Sequence, residues 1–151
     1  MRLSAMLRRE AIVVPLQNTE KQLVIEELLD AAQRTGRIVD REKAIEALLE
    51  RERLGSTGLE KGLAIPHART NAVDGIVLAL GVSPAGIDFQ SADSEPCHLF
   101  FLLLASEAVT GNYVQVLALI ARLNLQSGFR RKMMDVTTAD EALEIIRQAE
   151  E

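Results

Sequence analysis

The chain has a single cysteine, Cys97, and that excludes an internal disulfide and fits a reducing compartment. It has two histidines, His67 and His98, which with one thiol are too few for an ordinary structural zinc site. Aromatics are scarce: four Phe, one Tyr and no Trp. A base-stacking platform for single strands is therefore not expected. There is no basic excess either, because 17 Lys+Arg stand against 22 Asp+Glu for a net charge of −5. A nucleic-acid footprint needs a basic face, so nucleic acid is excluded as the expected partner. The longest unbroken apolar run, Leu99 to Ala105, is far short of a membrane span. Arg8, Arg9 and Glu10 interrupt any apolar region at the N-terminus, so no signal peptide is read there. No repeat, low-complexity tract or Gly/Ser/Pro linker divides the chain. The expectation is one mildly acidic, cytoplasmic domain without membrane insertion.

What is present is enough for a core. The chain has 151 residues, 48% apolar and 26% charged. A domain of that size buries roughly two thirds of the surface its unfolded chain exposes. Ala11 to Leu16 reads as a short strand, with Pro15 pointing to an edge or an end. Thr19 is a good N-cap for a helix whose stripe is Leu23, Val24, Leu28 and Ala31, stopped at Gly36. Asp40 caps a second helix, with Ala44, Ile45, Leu48 and Leu49 on its stripe, ending near Arg53 and Leu54. Leu63 to Ile65 is a brief strand closed by Pro66. Gly75 to Ser83 is a buried strand, followed by a turn-rich connection from Pro84 to Asp93.

Cys97 to Ala105 is a continuous apolar strand of the kind buried on both faces. Thr110 or Asn112 is the candidate cap of the next helix, whose stripe is Val116, Leu117, Ile120, Ala121 and Leu123. A short helix runs from Ser127 to Met134. Thr138 caps the last helix, with Glu141 completing a capping box and Leu143, Ile145 and Ile146 packing inward. The order is strand, two helices, three strands, three helices. Continuous apolar strands among amphipathic helices predict an α/β fold with a sheet covered on both faces.

Most familiar catalytic motifs are missing. The second glycine of a Walker loop counted from Gly55 would be residue 60, which is Glu60. No G-x-G-x-x-G follows a strand, and there is no G-x-S-x-G elbow. The unusual stretch is Leu54 to Arg69, LGSTGLEKGLAIPHAR, with Gly55, Gly58 and Gly62 close together. His67 stands just past it. A neutral imidazole is a nucleophile near neutral pH and can carry a phosphoryl group as a covalent intermediate. Such chemistry needs backbone N–H groups and hydroxyls around the phosphoryl oxygens, which glycines admit closely. It needs a cation, for which Arg51 and Arg69 are the candidates. It also needs the second ring nitrogen to be held. Bland readings stand beside each of these. A lone histidine in a loop is most often a surface residue. Glycines, Ser56 and Thr57 commonly mark turns. Glu50, Arg51 and Glu52 at a helix end are commonly just solvated. His98 reads as a structural histidine opening a buried strand, Cys97 as a small core hydrophobe, and the methionines as packing.

The run Arg51-Glu52-Arg53-Leu54-Gly55-Ser56-Thr57-Gly58, followed by Gly62-Leu63-Ala64-Ile65-Pro66-His67, resembles the fructose/mannitol/nitrogen-regulatory enzyme IIA family of the bacterial phosphotransferase system. Ile87 to Asp93 with Pro96, Leu99 to Leu104, and Leu117 to Leu123 are similar to the connection, strand and helix that follow in that family. The resemblance implies a single type-2 enzyme IIA domain over residues 1–151, with that family's fold, a three-layer α/β/α sandwich with a mixed central sheet. It implies that His67 is phosphorylated through Nε2 by a histidine phosphocarrier protein, and that Arg51 is the active-site arginine. Ser56, Thr57 and Gly58 would line the phosphate pocket. In transport members the phosphoryl passes to a cysteine of an enzyme IIB; in nitrogen-regulatory members the phosphorylation state is read by a transporter or a kinase. No metal or organic cofactor is implied. The sequence departs from the family where a second histidine is usual. Asn112 aligns there, with Tyr113 or Val114 if the register slips. An amide donates a hydrogen bond but cannot become a cation, which predicts slower transfer or a shorter-lived phosphohistidine. Three readings result: a nitrogen-regulatory phosphoryl carrier, a non-catalytic binding module of the same fold, and a sugar-specific transport component. The first is preferred because no enzyme IIB or IIC follows in this chain. The site is expected at the loop ends of the strands on one edge of the sheet, with an apolar rim that includes Leu59 and Ile65.

Overall fold

The computed structural model describes residues 2–109 and 111–151. A short helix α1 (Leu3–Met6) and a 3-10 turn (Arg9–Ala11) precede the first strand, β1 (Ile12–Val13). Helices α2 (Lys21–Gln33) and α3 (Arg41–Arg53) follow. Then come β2 (Leu63–Ala64), β3 (His67–Arg69), β4 (Ile76–Ile87) and β5 (Cys97–Ala105). The chain ends in α4 (Asn112–Leu125), α5 (Phe129–Met134) and α6 (Ala139–Glu150). Two elements depart from the expected order: α1 lies before the first strand, and β3 lies after Pro66. The Pro66 ring has no N–H to give the ladder, so one edge strand is split into β2 and β3.

The five strands form one mixed sheet in the order β1-β4-β5-β2, with β3 beside β5. β4 and β5 run antiparallel, from Ile76 opposite Ala105 to Val82 opposite Leu99. β1 is parallel to β4, and both β2 and β3 are parallel to β5. β1 is an edge, as Pro15 suggested. β4 runs on to Ile87 through a register shift after Val82, where a turn-rich connection was expected.

Side chains alternate across β5, and both faces are buried. Phe100, Leu102 and Leu104 pack with Val77 and Ala79 against Ile25, Leu28, Leu29 and Leu48 of α2 and α3. Leu99, Phe101 and Leu103 pack with Leu78 and Leu80 against Val116, Ile120, Met133 and Ile146 of the last three helices. Helices thus flank the central sheet, and the seven-residue run that reads as uniformly apolar is two half-cores in one strand.

The helix stripes differ in detail from the expected ones. Leu23 is exposed, while Ile25 and Leu29 are buried, because α2 meets the sheet one position later around its axis. Asp40 caps α3 by accepting from Lys43 N at 3.1 Å. Thr138 and Glu141 form the expected capping box on α6. Thr19 does not cap α2: Glu20 holds the N-cap position without a side-chain bond. The segment before α2 is instead tied down by Glu27, whose carboxylate accepts from Gln17 N and Asn18 N. Gly111 is the N-cap of α4 and Asn112 its first residue. The alternative cap, Thr110, lies outside the described residues.

Candidate functional site

His67 opens β3, on an edge strand of the sheet, rather than sitting in a loop. Its backbone is opposite Leu103 of β5. The ring is half-buried, and Nδ1 lies 2.6 Å from the Ile65 carbonyl oxygen. A carbonyl can only accept, so Nδ1 carries the proton and donates. In the neutral ring the lone pair is then on Nε2. Burial lowers the His67 pKa, the Ile65 bond opposes that, and the Arg51 guanidinium lowers it further against a smaller upward pull from Glu52. The neutral, nucleophilic ring is accordingly favoured near neutral pH. Ile65 itself is not a rim residue. Its side chain is buried in the core under the last helices, and it serves His67 through its carbonyl.

Arg51 lies in the last turn of α3 and donates to the Gly55 carbonyl at 2.8 Å. Its charge reaches both His67 and Tyr113. Tyr113, in the first turn of α4, is the aromatic beside the histidine, with ring centroids 6.0 Å apart. Burial pushes its phenol up to about 12, against opposing pulls from Arg51 and Arg69, so it stays an O–H donor. Arg69 stands over the same ring at 5.7 Å and donates to the carbonyls of Glu107 and Val109. Asn112 is exposed at the start of α4, next in sequence to Tyr113. His98 is elsewhere. It lies five residues along β5 from the partner of His67, about 17 Å of strand, and its Nδ1 is bonded to the Ser83 carbonyl at 3.0 Å.

The glycine-rich loop between α3 and β2 is held by a network that its composition did not disclose. Glu52 does not simply face solvent; its side chain is 7% exposed and pairs with Lys21 of α2 at 2.7 Å. The same carboxylate accepts from the Thr57 N–H at 3.2 Å and from the Thr57 hydroxyl. Ser56 Oγ donates to the Phe89 carbonyl at 2.6 Å and accepts from Gly58 N at 3.0 Å. Lys21 also lies 4.7 Å over the Phe89 ring. The Ser56 and Thr57 hydroxyls therefore hold the loop in shape. Gly58 is required by packing, since a Cβ there would stand 2.9 Å from the Ser91 Cα. Leu59, at the outer side of this loop, is exposed.

His67 and Arg51 stand out in the sequence; Tyr113 figures there only as a register alternative to Asn112, Glu52 only as a solvated helix-end charge, and Lys21 not at all. Tyr113 had a signal: it is the one tyrosine, in the first turn of the helix next to Asn112. Lys21 had none, because its role depends on α2 packing beside the end of α3. Among the described residues, no group of three or more His, Cys, Asp or Glu is placed to hold a metal ion. No described helix is long and apolar enough to cross a membrane.

A mixed α/β domain with a half-buried histidine, its Nδ1 tied to backbone and its Nε2 carrying a lone pair near a guanidinium, is the class of protein that can take a group onto nitrogen. The family described as phosphoenolpyruvate-dependent sugar phosphotransferase system, EIIA 2, matches residues 5–149, and the chain belongs to it. It is a IIA-type phosphoryl carrier. Relatives of both functional kinds are similar. The fructose-specific EIIABC component of Bacillus subtilis is 32% identical over 148 residues, covering 98% of this chain, and the chain spans only 23% of that protein's length. The fructose-specific EIIA component of Haloferax volcanii is 35% identical over 131 residues, covering 87% of this chain and 85% of that one. The nitrogen regulatory protein of Pseudomonas aeruginosa is 31% identical over 147 residues, covering 93% of this chain and 96% of that one. The solved structure of nitrogen regulatory protein IIA-Ntr from Neisseria meningitidis superposes with a TM-score of 0.82 at 31% identity, covering 95% of this chain and 98% of that one.

Proposed function

We propose that this chain accepts a phosphoryl group on Nε2 of His67 from a histidine phosphocarrier protein, in the reducing cytoplasm, as a nitrogen-regulatory component. The observation that carries this reading is the Nδ1 bond to Ile65, which fixes the ring and directs the Nε2 lone pair away from the backbone. In the step itself, that lone pair attacks phosphorus. The N–P bond of the donor phosphohistidine breaks and its electron pair returns to the donor ring. The positive charge that develops on the His67 ring is met by the Ile65 carbonyl dipole. Arg51 offsets the charge of the phosphoryl oxygens, with the Tyr113 hydroxyl as a neutral donor. Ser56, Thr57 and Gly58 form the wall whose backbone approaches the group, and Asn112 supplies an amide donor in place of a cation.

The likeness to the Neisseria IIA-Ntr structure and the Pseudomonas protein supports the regulatory assignment. The phosphorylation state would then be read by a transporter or a kinase. The fructose-specific relatives support a second reading, a sugar-transport IIA that passes the group to an enzyme IIB cysteine. Mannitol IIA of Escherichia coli, which shares this fold, is solved in complex with phosphorylated IIB. Asn112 motivates a third reading, a binding module that has lost turnover.

Incubation with phosphoenolpyruvate, enzyme I and the phosphocarrier protein, followed by intact-protein mass spectrometry, tests the proposal. One acid-labile phosphoryl adduct is expected, absent in His67→Ala and formed at least about tenfold more slowly in Arg51→Gln. Asn112→His should give a longer-lived adduct. An adduct seen only in Asn112→His would favour the binding module. Onward transfer to an enzyme IIB would favour the transport reading.

A further inference from the structure

Alternation along β3 puts the His67 and Arg69 side chains on one face of the sheet and Ala68 on the other. Ala68 packs in the core under α2 and α3, while Tyr113 packs on the face of the last three helices. The Tyr113 ring meets both residues of its face. Its centroid is 6.0 Å from that of His67 and 5.7 Å from the Arg69 guanidinium carbon, within reach of a cation–π contact. The two arginines of the site therefore stand differently. The Arg51 charge acts on the His67 ring, whereas the Arg69 charge acts on the Tyr113 phenol.

What Arg69 does follows from how α4 begins. Gly111, its N-cap, has a φ of 83° and makes no side-chain cap bond. A helix start without a cap leaves its first N–H groups without that partner, so its position depends on tertiary contacts. Those contacts come from β3 and its exit. Arg69 Nη2 donates to the Glu107 carbonyl at 3.1 Å and to the Val109 carbonyl. Asn71 and Glu107 exchange two bonds: Asn71 Nδ2 donates to the Glu107 carboxylate at 3.1 Å, and the Glu107 N–H donates to Asn71 Oδ1 at 3.2 Å. Both ties act on the connection between β5 and α4, and Tyr113 is the second residue of that helix. With its donors on two carbonyls and its charge over a ring, the Arg69 guanidinium is committed to holding this segment in place.

We infer that Arg69 is a positioning residue for phosphoryl transfer: by tying the connection before α4 and lying over the Tyr113 ring, it holds the Tyr113 hydroxyl in the His67 site and does not itself contact the phosphoryl group. This role rests on the carrier reading above, in which that hydroxyl is the neutral donor. Arg51 is left as the cation that meets the phosphoryl oxygens.

Tyr113 is the one tyrosine and there is no Trp, so tyrosine emission reports on this ring alone. The test pairs acrylamide quenching of that emission with single-turnover phosphorylation by the phosphocarrier protein, in the native chain and in Arg69→Gln, Arg69→Lys, Tyr113→Phe and the double variant Arg69→Gln/Tyr113→Phe. Arg69 is exposed, so its replacement leaves the core intact. In Arg69→Gln the quenching constant should rise about twofold or more as the half-buried ring opens to solvent. Phosphorylation should slow by about tenfold, with the apparent affinity for the phosphocarrier protein unchanged. Tyr113→Phe should slow it equally, and the double variant no further, because no hydroxyl remains to be positioned. Arg69→Lys keeps the charge but cannot span both carbonyls, and should stay slow. Unchanged quenching in Arg69→Gln, additive losses in the double variant, or full activity in Arg69→Lys or Tyr113→Phe overturns the inference. So does a loss that appears only as weaker affinity for the phosphocarrier protein, which would make Arg69 a docking contact. A native chain that takes no phosphoryl group refutes the carrier reading itself and the inference with it, a failure distinct from the others.

Discussion

At the scale of single residues, two side chains tied to backbone shape the site, His67 and Glu52. His67 is poised as a neutral nucleophile because burial and Arg51 together outweigh the help that the Ile65 carbonyl gives to its protonated form. The folded protein therefore binds fewer protons at this ring than the unfolded chain does near its ordinary value of about 6.5. The stabilisation from keeping the ring neutral is present above that value and is lost as pH falls through the lowered folded one. Phosphoryl acceptance should follow the same titration. Its acid limb is expected below pH ~6.5, and rate measurements at saturating phosphocarrier protein would locate it. A limb above that value would mean that the protonated ring is favoured in the fold. Glu52 is the second such residue. Changing Glu52→Gln leaves Lys21 without its partner and weakens both bonds to Thr57. Breaking a fully buried pair costs about 3–5 kcal/mol, and the partial exposure of Lys21 brings the expected loss here to about 1–3 kcal/mol. Chemical denaturation reads that number directly. Both carboxylate and histidine are visible in the sequence, yet only the histidine announces its chemistry. The ion pair joins residues 31 positions apart, and spacing along one helix gives no sign of it.

At the scale of elements, local rules were legible where the chain itself supplies both partners. The α6 capping box closes within four residues, Thr138 to Glu141, and Asp40 caps α3 in the same way. Replacing Thr138 with Ala removes the acceptor for Glu141 N and should cost about 1 kcal/mol, read as a lower thermal or denaturant midpoint with an unchanged m-value. A change near zero would show that Glu141, which also binds Thr137, holds the turn alone. Rules failed where a tertiary partner competes. The carboxylate of Glu27 satisfies the backbone ahead of α2, so Thr19 has no capping work to do. β3 was missed because three residues after a proline carry no periodic signal. They become a strand only because β5 offers a free edge beside them. That edge is what turns a loop histidine into one with a fixed backbone.

At the scale of the whole molecule, the fold brings residues from three separated segments to one end of the sheet. Arg51 arrives on the C-terminal turn of α3, His67 on β3, and Tyr113 on the N-terminal turn of α4. The two-sided burial of β5 makes this possible, since helices on both faces can then deliver their ends to the same edge. A sheet flanked by helices was readable from the continuous apolar strands, and His67 stood out as the candidate through its motif. The strand order was not, because it is set by pairing between β4 and β5 and by the return of the chain to the far side of β5. In the phosphorylated protein the group is expected on Nε2 of His67, while Nδ1 keeps its bond to Ile65. Nitrogen NMR of the imidazole ring in the phosphorylated protein measures this directly. Phosphorus coupling at Nε2 and a protonated Nδ1 are the expected result. A phosphoryl on Nδ1, or on any residue other than His67, would contradict it.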